Sequence, residues 1–166
     1  MMKDLLRQLE KKMEALPHRC FFNEAVGYDE LMDFLDPQPF LFPLSHMTFL
    51  LNYNGGFICS EKIQKLSIET VAWNSNRFLS IHEIDAAYSR IRHKFSKNGP
   101  QFVPFMQVEN SEYLAFTYPY EEYESPVYDI WHEAFPNEWL QQEVYSGFEE
   151  LLDDYIRNNG IIVTIG

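Results

Sequence analysis

The stretch FPLSHMTFLLNYNGG, Phe42 to Gly56, carries its own start and stop signals for a short helix. Pro43 suits the first helical turn, because the N–H it lacks would have no partner there and its φ is already helical. Leu44, Met47, Leu50 and Leu51 recur at i, i+3, i+6 and i+7, which predicts one apolar stripe facing a core. Asn54, Gly55 and Gly56 end the helix, since these residues enter a left-handed conformation cheaply and let the backbone turn toward Phe57. The expected unit is helix, tight turn, then a strand over Phe57 to Cys59.

Toward the N-terminus, Leu5, Leu9, Met13 and Leu16 predict an amphipathic helix over Lys3 to Leu16, ended by Pro17 and packed on the domain. His18 to Gly27 reads as a connector, with Cys20, Phe21 and Phe22 as a short strand or anchor. Leu31, Met32 and Leu35 predict a helix over Tyr28 to Leu35, closed by Pro37 and Pro39. Toward the C-terminus, Glu61 to Asn76 has no decisive period. Phe78, Leu79 and Ile81 predict a short strand, and Ile84, Ala87, Tyr88 and Ile91 a helix over His82 to Phe95, with Arg90, Arg92 and Lys94 near its C-terminus. From Gln101 the pattern changes. Phe102 to Val108, Tyr113 to Tyr118 and Val127 to Trp131 predict a three-stranded antiparallel meander. Ser146 and Glu149 have the spacing of a capping box ahead of Phe148, Leu151, Leu152, Tyr155 and Ile156, so a last helix is expected to end near Gly160. Ile161 to Ile165 is an apolar strand-like run, expected to pair with a sheet edge in this molecule or in a second copy.

Several of these pieces together resemble the SUKH superfamily, which includes the yeast Smi/Knr cell-wall regulators and many bacterial immunity proteins. The resemblance lies in Phe42-Pro43, Phe49-Leu50 and Tyr53-Asn54-Gly55-Gly56, then Val103-Pro104-Phe105, Pro126-Val127-Tyr128, and Ser146, Phe148 and Leu151-Leu152. Phe42 replaces the usual leucine, His46 stands where an aromatic residue is common, and Met106 replaces an alanine. The resemblance implies one α+β domain over 1–166, with a mixed, mostly antiparallel sheet and helices packed around it. Residues 1–41 would supply N-terminal helices and a connector, 42–160 the core bearing the motifs, and 161–166 the apolar tail. Pro43, Phe49, Leu50, Asn54, Gly55, Gly56, Pro104, Phe105, Pro126, Val127, Ser146 and Phe148 would then be structural.

The chain has 166 residues, enough for one core without disulfide staples, and 46% are hydrophobic, which argues against disorder despite a net charge of −12. No apolar run approaches the roughly 20 residues of a membrane helix, and the charged opening MMKDLLRQLEKKME does not read as a secretory signal, so a cytoplasmic protein is expected. Cys20 and Cys59 lack metal-site or disulfide spacing. The charge is uneven. Residues 1–97 hold 12 Lys/Arg and 12 Asp/Glu, whereas residues 98–166 hold one Arg, Arg157, and 13 acids. Such a field repels nucleic acid and anionic membrane and attracts a basic protein surface.

The sequence offers no chemistry of its own. His132-Glu133 lacks the second histidine of a zinc-protease motif, since Pro136 occupies that place. His18, His46, His82 and His93 form no ligand pair, and His46 is expected to be structural. Glu149-Glu150 and Asp153-Asp154 read as a solvated helix face. No nucleophile motif or phosphate loop is present, so no catalytic residue, metal or cofactor is expected. The candidate contact surface is YPYEEYESPVY, where Tyr118, Tyr120, Tyr123 and Tyr128 alternate with Glu121, Glu122 and Glu124. Tyrosines supply rigid contact area and carboxylates pair with a partner's Lys or Arg. The resemblance implies a cognate toxin as that partner, or a cellular client such as cell-wall synthesis if the chain is a Smi/Knr-type regulator. Another basic protein, or a second copy joined through the tail, would also suit the residues.

Overall fold

The computed structural model describes residues 1–59, 75–108 and 112–162. Seven strands form one sheet in chain order: β1 (Cys20–Phe22), β2 (Gly56–Ile58), β3 (Arg77–Phe78), β4 (Gln101–Gln107), β5 (Tyr113–Tyr118), β6 (Val127–Ile130) and β7 (Glu143–Tyr145). Every pairing among the described residues is antiparallel, in line with the expected mostly antiparallel sheet. Among the described residues six α-helices accompany it: α1 (Met2–Ala15), α2 (Tyr28–Leu35), α3 (Leu44–Leu50), α4 (Ile81–Ile91), α5 (Pro136–Trp139) and α6 (Phe148–Arg157). The fold is α+β.

The larger core lies between one sheet face and α1, α2, α3, α4 and α6, and a smaller one of Phe102, Ala115, Ile130, Ala134 and Trp139 covers the other face beneath α5. β4 serves both. Its register shifts between Pro104 and Met106, and this bulge lets Phe105 and Met106, adjacent in sequence, both reach the larger core. Pro104 sits where the ladder is already irregular, which is how a proline is accommodated in a central strand.

Tyr155 ties α6 to the sheet, its hydroxyl accepting from the Ile58 N–H at 2.7 Å and donating to the Asn76 carbonyl at 2.7 Å. Burial pushes its pKa up, so the hydroxyl stays a donor. Asn54 leaves its helix and accepts from the Ile81 N–H at 2.9 Å, so the turn after α3 also caps α4.

The structure corrects the sequence reading at four places. On α3 the buried face is Ser45, His46, Phe49 and Leu50, while Leu44 is exposed and Met47 and Leu51 are only half-buried. A two-turn helix admits either stripe, and docking of its N-terminus selects this one. The strand expected over Phe78 to Ile81 stops at Phe78, because Ser80 caps α4 in a capping box with Glu83. Conversely, the box expected at Ser146 and Glu149 does not form, because the helix starts one residue later than its spacing requires. Gly147 is extended and delays α6 to Phe148, so Glu150, not Glu149, accepts from the Ser146 N–H and hydroxyl, both at 2.6 Å. Finally, α5 and β7 have no counterpart in the sequence reading. Residues 61–74 of the unassigned stretch and 163–166 of the tail lie outside the described residues; Ile162 packs against the larger core.

Candidate functional site

Antiparallel order brings the end of β5, the start of β6 and the end of β7 to one end of the sheet, so the loop from Pro119 to Pro126 lies beside the start of α6. The start of α3 is held there. Pro43, at its N-cap, has no side chain that can accept a hydrogen bond, and the cap comes from 79 residues away: the Ser45 N–H and hydroxyl donate to the two Glu124 carboxylate oxygens at 2.9 and 2.6 Å. The Leu44 N–H donates to the Tyr123 carbonyl at 2.9 Å, and the Tyr120 hydroxyl to the Phe42 carbonyl at 2.7 Å. Burial pushes the Tyr120 pKa up to about 12, with Tyr118 and Glu124 adding to the shift. Glu124→Ala removes a charged cap from a helix N-terminus and is expected to cost about 2 kcal/mol, read as a lower urea midpoint at unchanged slope. An unchanged midpoint would mean that Glu124 is not the cap.

These contacts divide the predicted contact residues. Glu121, Glu122 and Tyr123 face solvent. Tyr120 and Glu124 fasten the loop to α3, and Tyr118 is half-buried with its ring edge-on to Tyr120 at 5.8 Å. Tyr128 is not among them, because its ring meets Phe102 at 6.0 Å on the other face of the sheet. Glu122 and Tyr123 have φ of 53° and 66°, a left-handed conformation that costs non-glycine residues energy and that tends to be kept where a surface has work to do.

Two depressions flank this loop. One is a cleft of about 520 Å³ between the starts of α1 and α6, lined by Asp4, Glu124, Glu149, Glu150 and Asp153. The other is a groove of about 750 Å³ between the end of α2 and α3, lined chiefly by Met32, Leu41, Leu44, Met47, Tyr118 and Tyr123. Neither is lined by a lysine or arginine. Hydrogen bonds from the Ser146 hydroxyl and N–H hold the Glu150 carboxyl below its usual range. In the last third Arg157 pairs with Asp153 at 3.0 Å, and the His132 ring lies against Glu112 and Glu133.

The acids of the last third are nevertheless not all at this end. Glu112, Glu133 and Glu138 lie with His132 and α5 at the opposite end, and Asp129 is buried. That opposite end also carries a groove of about 560 Å³ with Arg77, Arg90 and Lys94 among its lining. There Arg77 pairs with Glu83, whose carboxyl burial would raise but which the Arg77 and Ser80 hydrogen bonds hold below its usual range. Among the described residues, no group of three or more His, Cys, Asp or Glu is placed to hold a metal ion, and no helix is long and apolar enough to cross a membrane.

Comparison of the sequence with protein families gives a match to the SMI1 / KNR4 family (SUKH-1) over residues 30–154. The chain belongs to this family. No curated protein and no solved structure matches it.

In this SUKH-1 chain the motif residues are arranged as a core rather than a site. The Phe49, Phe105 and Phe148 rings pack together, with Phe49 5.5 Å and Phe105 5.9 Å from Phe148, and Val127 is fully buried beside them in the larger core. Gly55 and Gly56 take positive φ where β1 and β3 approach. Of the residues that line the cleft and groove, Asp4 and Leu41 are not singled out by the sequence, Leu44 is expected there to face the core, and Glu149 and Asp153 read as a capping residue and a solvated helix face. They come from separate segments that only tertiary packing brings together, so no local pattern marks them as one surface.

Proposed function

We propose that this protein is a non-enzymatic binding protein of the immunity type, which neutralises a basic, nuclease-like toxin by occupying or flanking its phosphate-binding surface. The observation that carries this reading is the acidic end of the molecule. Glu121 and Glu122 project from the loop beside a cleft lined by five carboxylates and no lysine or arginine. A nuclease must be basic where it holds phosphate, and an acidic face that meets it associates fast and in a salt-dependent way. At the far end Arg77, Arg90 and Lys94 are mixed with Glu83, Glu112, Glu133 and Glu138, so the reading rests on the acidic end alone.

The test is co-expression with the toxin encoded by its immediate genomic neighbour, scoring survival. Protection supports the reading, and failure to protect counts against it. For the mechanism, Glu121→Lys with Glu122→Lys is expected to slow association at low salt about tenfold and to flatten its salt dependence, read by stopped-flow mixing. Glu124 is left in place because it caps α3. An unchanged association rate would remove the loop from the encounter surface.

A further inference from the structure

Helix α3 buries Phe49 and Leu50 in its second turn, but its first turn is unusual. Its core side buries Ser45 and His46, at 3% and 0% exposure, while Leu44 on the outside is 57% exposed. A buried polar residue is informative, whereas a lone exposed leucine is not, and an exposed apolar side chain signifies only as part of a patch. Leu44 is not isolated. Leu41, 50% exposed, and Tyr123, 75% exposed, line the same groove, with Met32 and Met47 in its lining. The wall formed by Tyr123 is held in its left-handed conformation while its carbonyl is engaged by the Leu44 N–H, so the groove is preformed.

We propose that this groove is an anchor pocket that takes a large aliphatic or aromatic side chain from a basic polypeptide segment. The proposal rests on the protein-binding reading above and names what the partner inserts. Charge selects the occupant. Asp36 lines the groove, Glu121 and Glu122 stand exposed next to Tyr123, Asp33 lies exposed one turn earlier on α2, and no lysine or arginine lines it. A fatty acid, a nucleotide or an acidic peptide would meet carboxylates at the rim, whereas flanking Lys or Arg would pair with them. One buried apolar anchor encircled by polar contacts is the usual energetic centre of a protein interface, with methionines adapting the pocket to its shape.

A phage-displayed library of 12-residue peptides is panned on the full chain, and winners are measured against wild type and against the Leu41→Ser, Leu44→Ser double variant. Both leucines are exposed, so the variant keeps its fold, which circular dichroism and the urea midpoint check. The expected winners carry an aromatic or large aliphatic residue flanked by Lys or Arg and bind the variant at least tenfold more weakly. Absence of enrichment, winners that are acidic, or winners that bind the variant equally would overturn the proposal. So would a wild-type dimer, seen by light scattering, that the variant dissolves, since a second copy would then fill the groove. The two readings fail separately: winners of the expected kind without toxin protection sink the immunity reading alone, and protection undiminished in the variant with no such winners sinks the anchor pocket alone.

Discussion

His46→Phe is expected to stabilise the protein, by about 1 kcal/mol at neutral pH and by several kcal/mol in acid. His46 is fully buried and its ring is surrounded by Phe42, Phe105, Phe116 and Phe148, with ring centroids 4.9, 5.6, 5.1 and 5.2 Å away. Among the described residues neither ring nitrogen has a hydrogen-bond partner. An unpaired buried polar group costs about 1–3 kcal/mol, and phenylalanine removes that cost against about 1 kcal/mol of crowding from its slightly larger ring. The pH term is larger. Burial holds the His46 pKa at about 3, against 6.5 when exposed. Between those values the unfolded chain binds a proton there and the folded chain does not, so stability is full above pH 6.5 and falls by roughly 1.4 kcal/mol per pH unit as the pH drops toward 3. Phenylalanine has no such term. Urea unfolding of both proteins at pH 7.5 and 4.5 reads the difference directly, and a gap between variant and wild type that does not widen in acid would refute the account.

Gly56→Ala is expected to cost on the order of 4 kcal/mol, a large part of the whole stability of a domain this size. Gly56 has φ of 137°, a conformation closed to a residue with a Cβ. Space is lacking too. A Cβ there would lie 2.5 Å from the Phe22 Cα and closer still to the Phe21 carbonyl oxygen, both backbone atoms of the neighbouring strand β1. Backbone cannot move aside as a flexible side chain can, so β1 and β2 must separate. The Phe21 and Phe57 rings, stacked at 5.2 Å, would part with them. The variant is expected to be largely unfolded at 37 °C by circular dichroism. A melting temperature within a few degrees of wild type would show that the turn can be rebuilt without a glycine.

Legibility followed the range of the physical cause. α1 and α2 were readable because an apolar stripe and a proline stop are written in adjacent turns, and β4, β5 and β6 because β-branched and aromatic residues cluster between polar turns. α5 and β7 were not, since PNEW and EVY are too short to show a period and owe their form to Trp139 and Tyr145 packing on the sheet. Ser80 and Ser146 carry the same S-x-x-E spacing, yet only Ser80 closes a capping box, because extended Gly147 moves the start of α6 one residue beyond the position that Ser146 would cap. Of the contact loop, the alternation of tyrosine and glutamate was visible, but not that Glu124 and Tyr120 are spent on α3 or that Tyr128 faces the other way.

By itself the sequence determined the family, the order of the longer elements, the glycine turn and the excess of negative charge over the last third, all of which depend on residue type and spacing along the chain. Only the tertiary structure decided which side of α3 is buried, which carboxylates share one end of the molecule, and that an apolar groove opens beside them. Those facts depend on distances between segments such as Ser45 and Glu124, 79 positions apart, and a spacing rule that spans one or two turns of helix carries no information at that range.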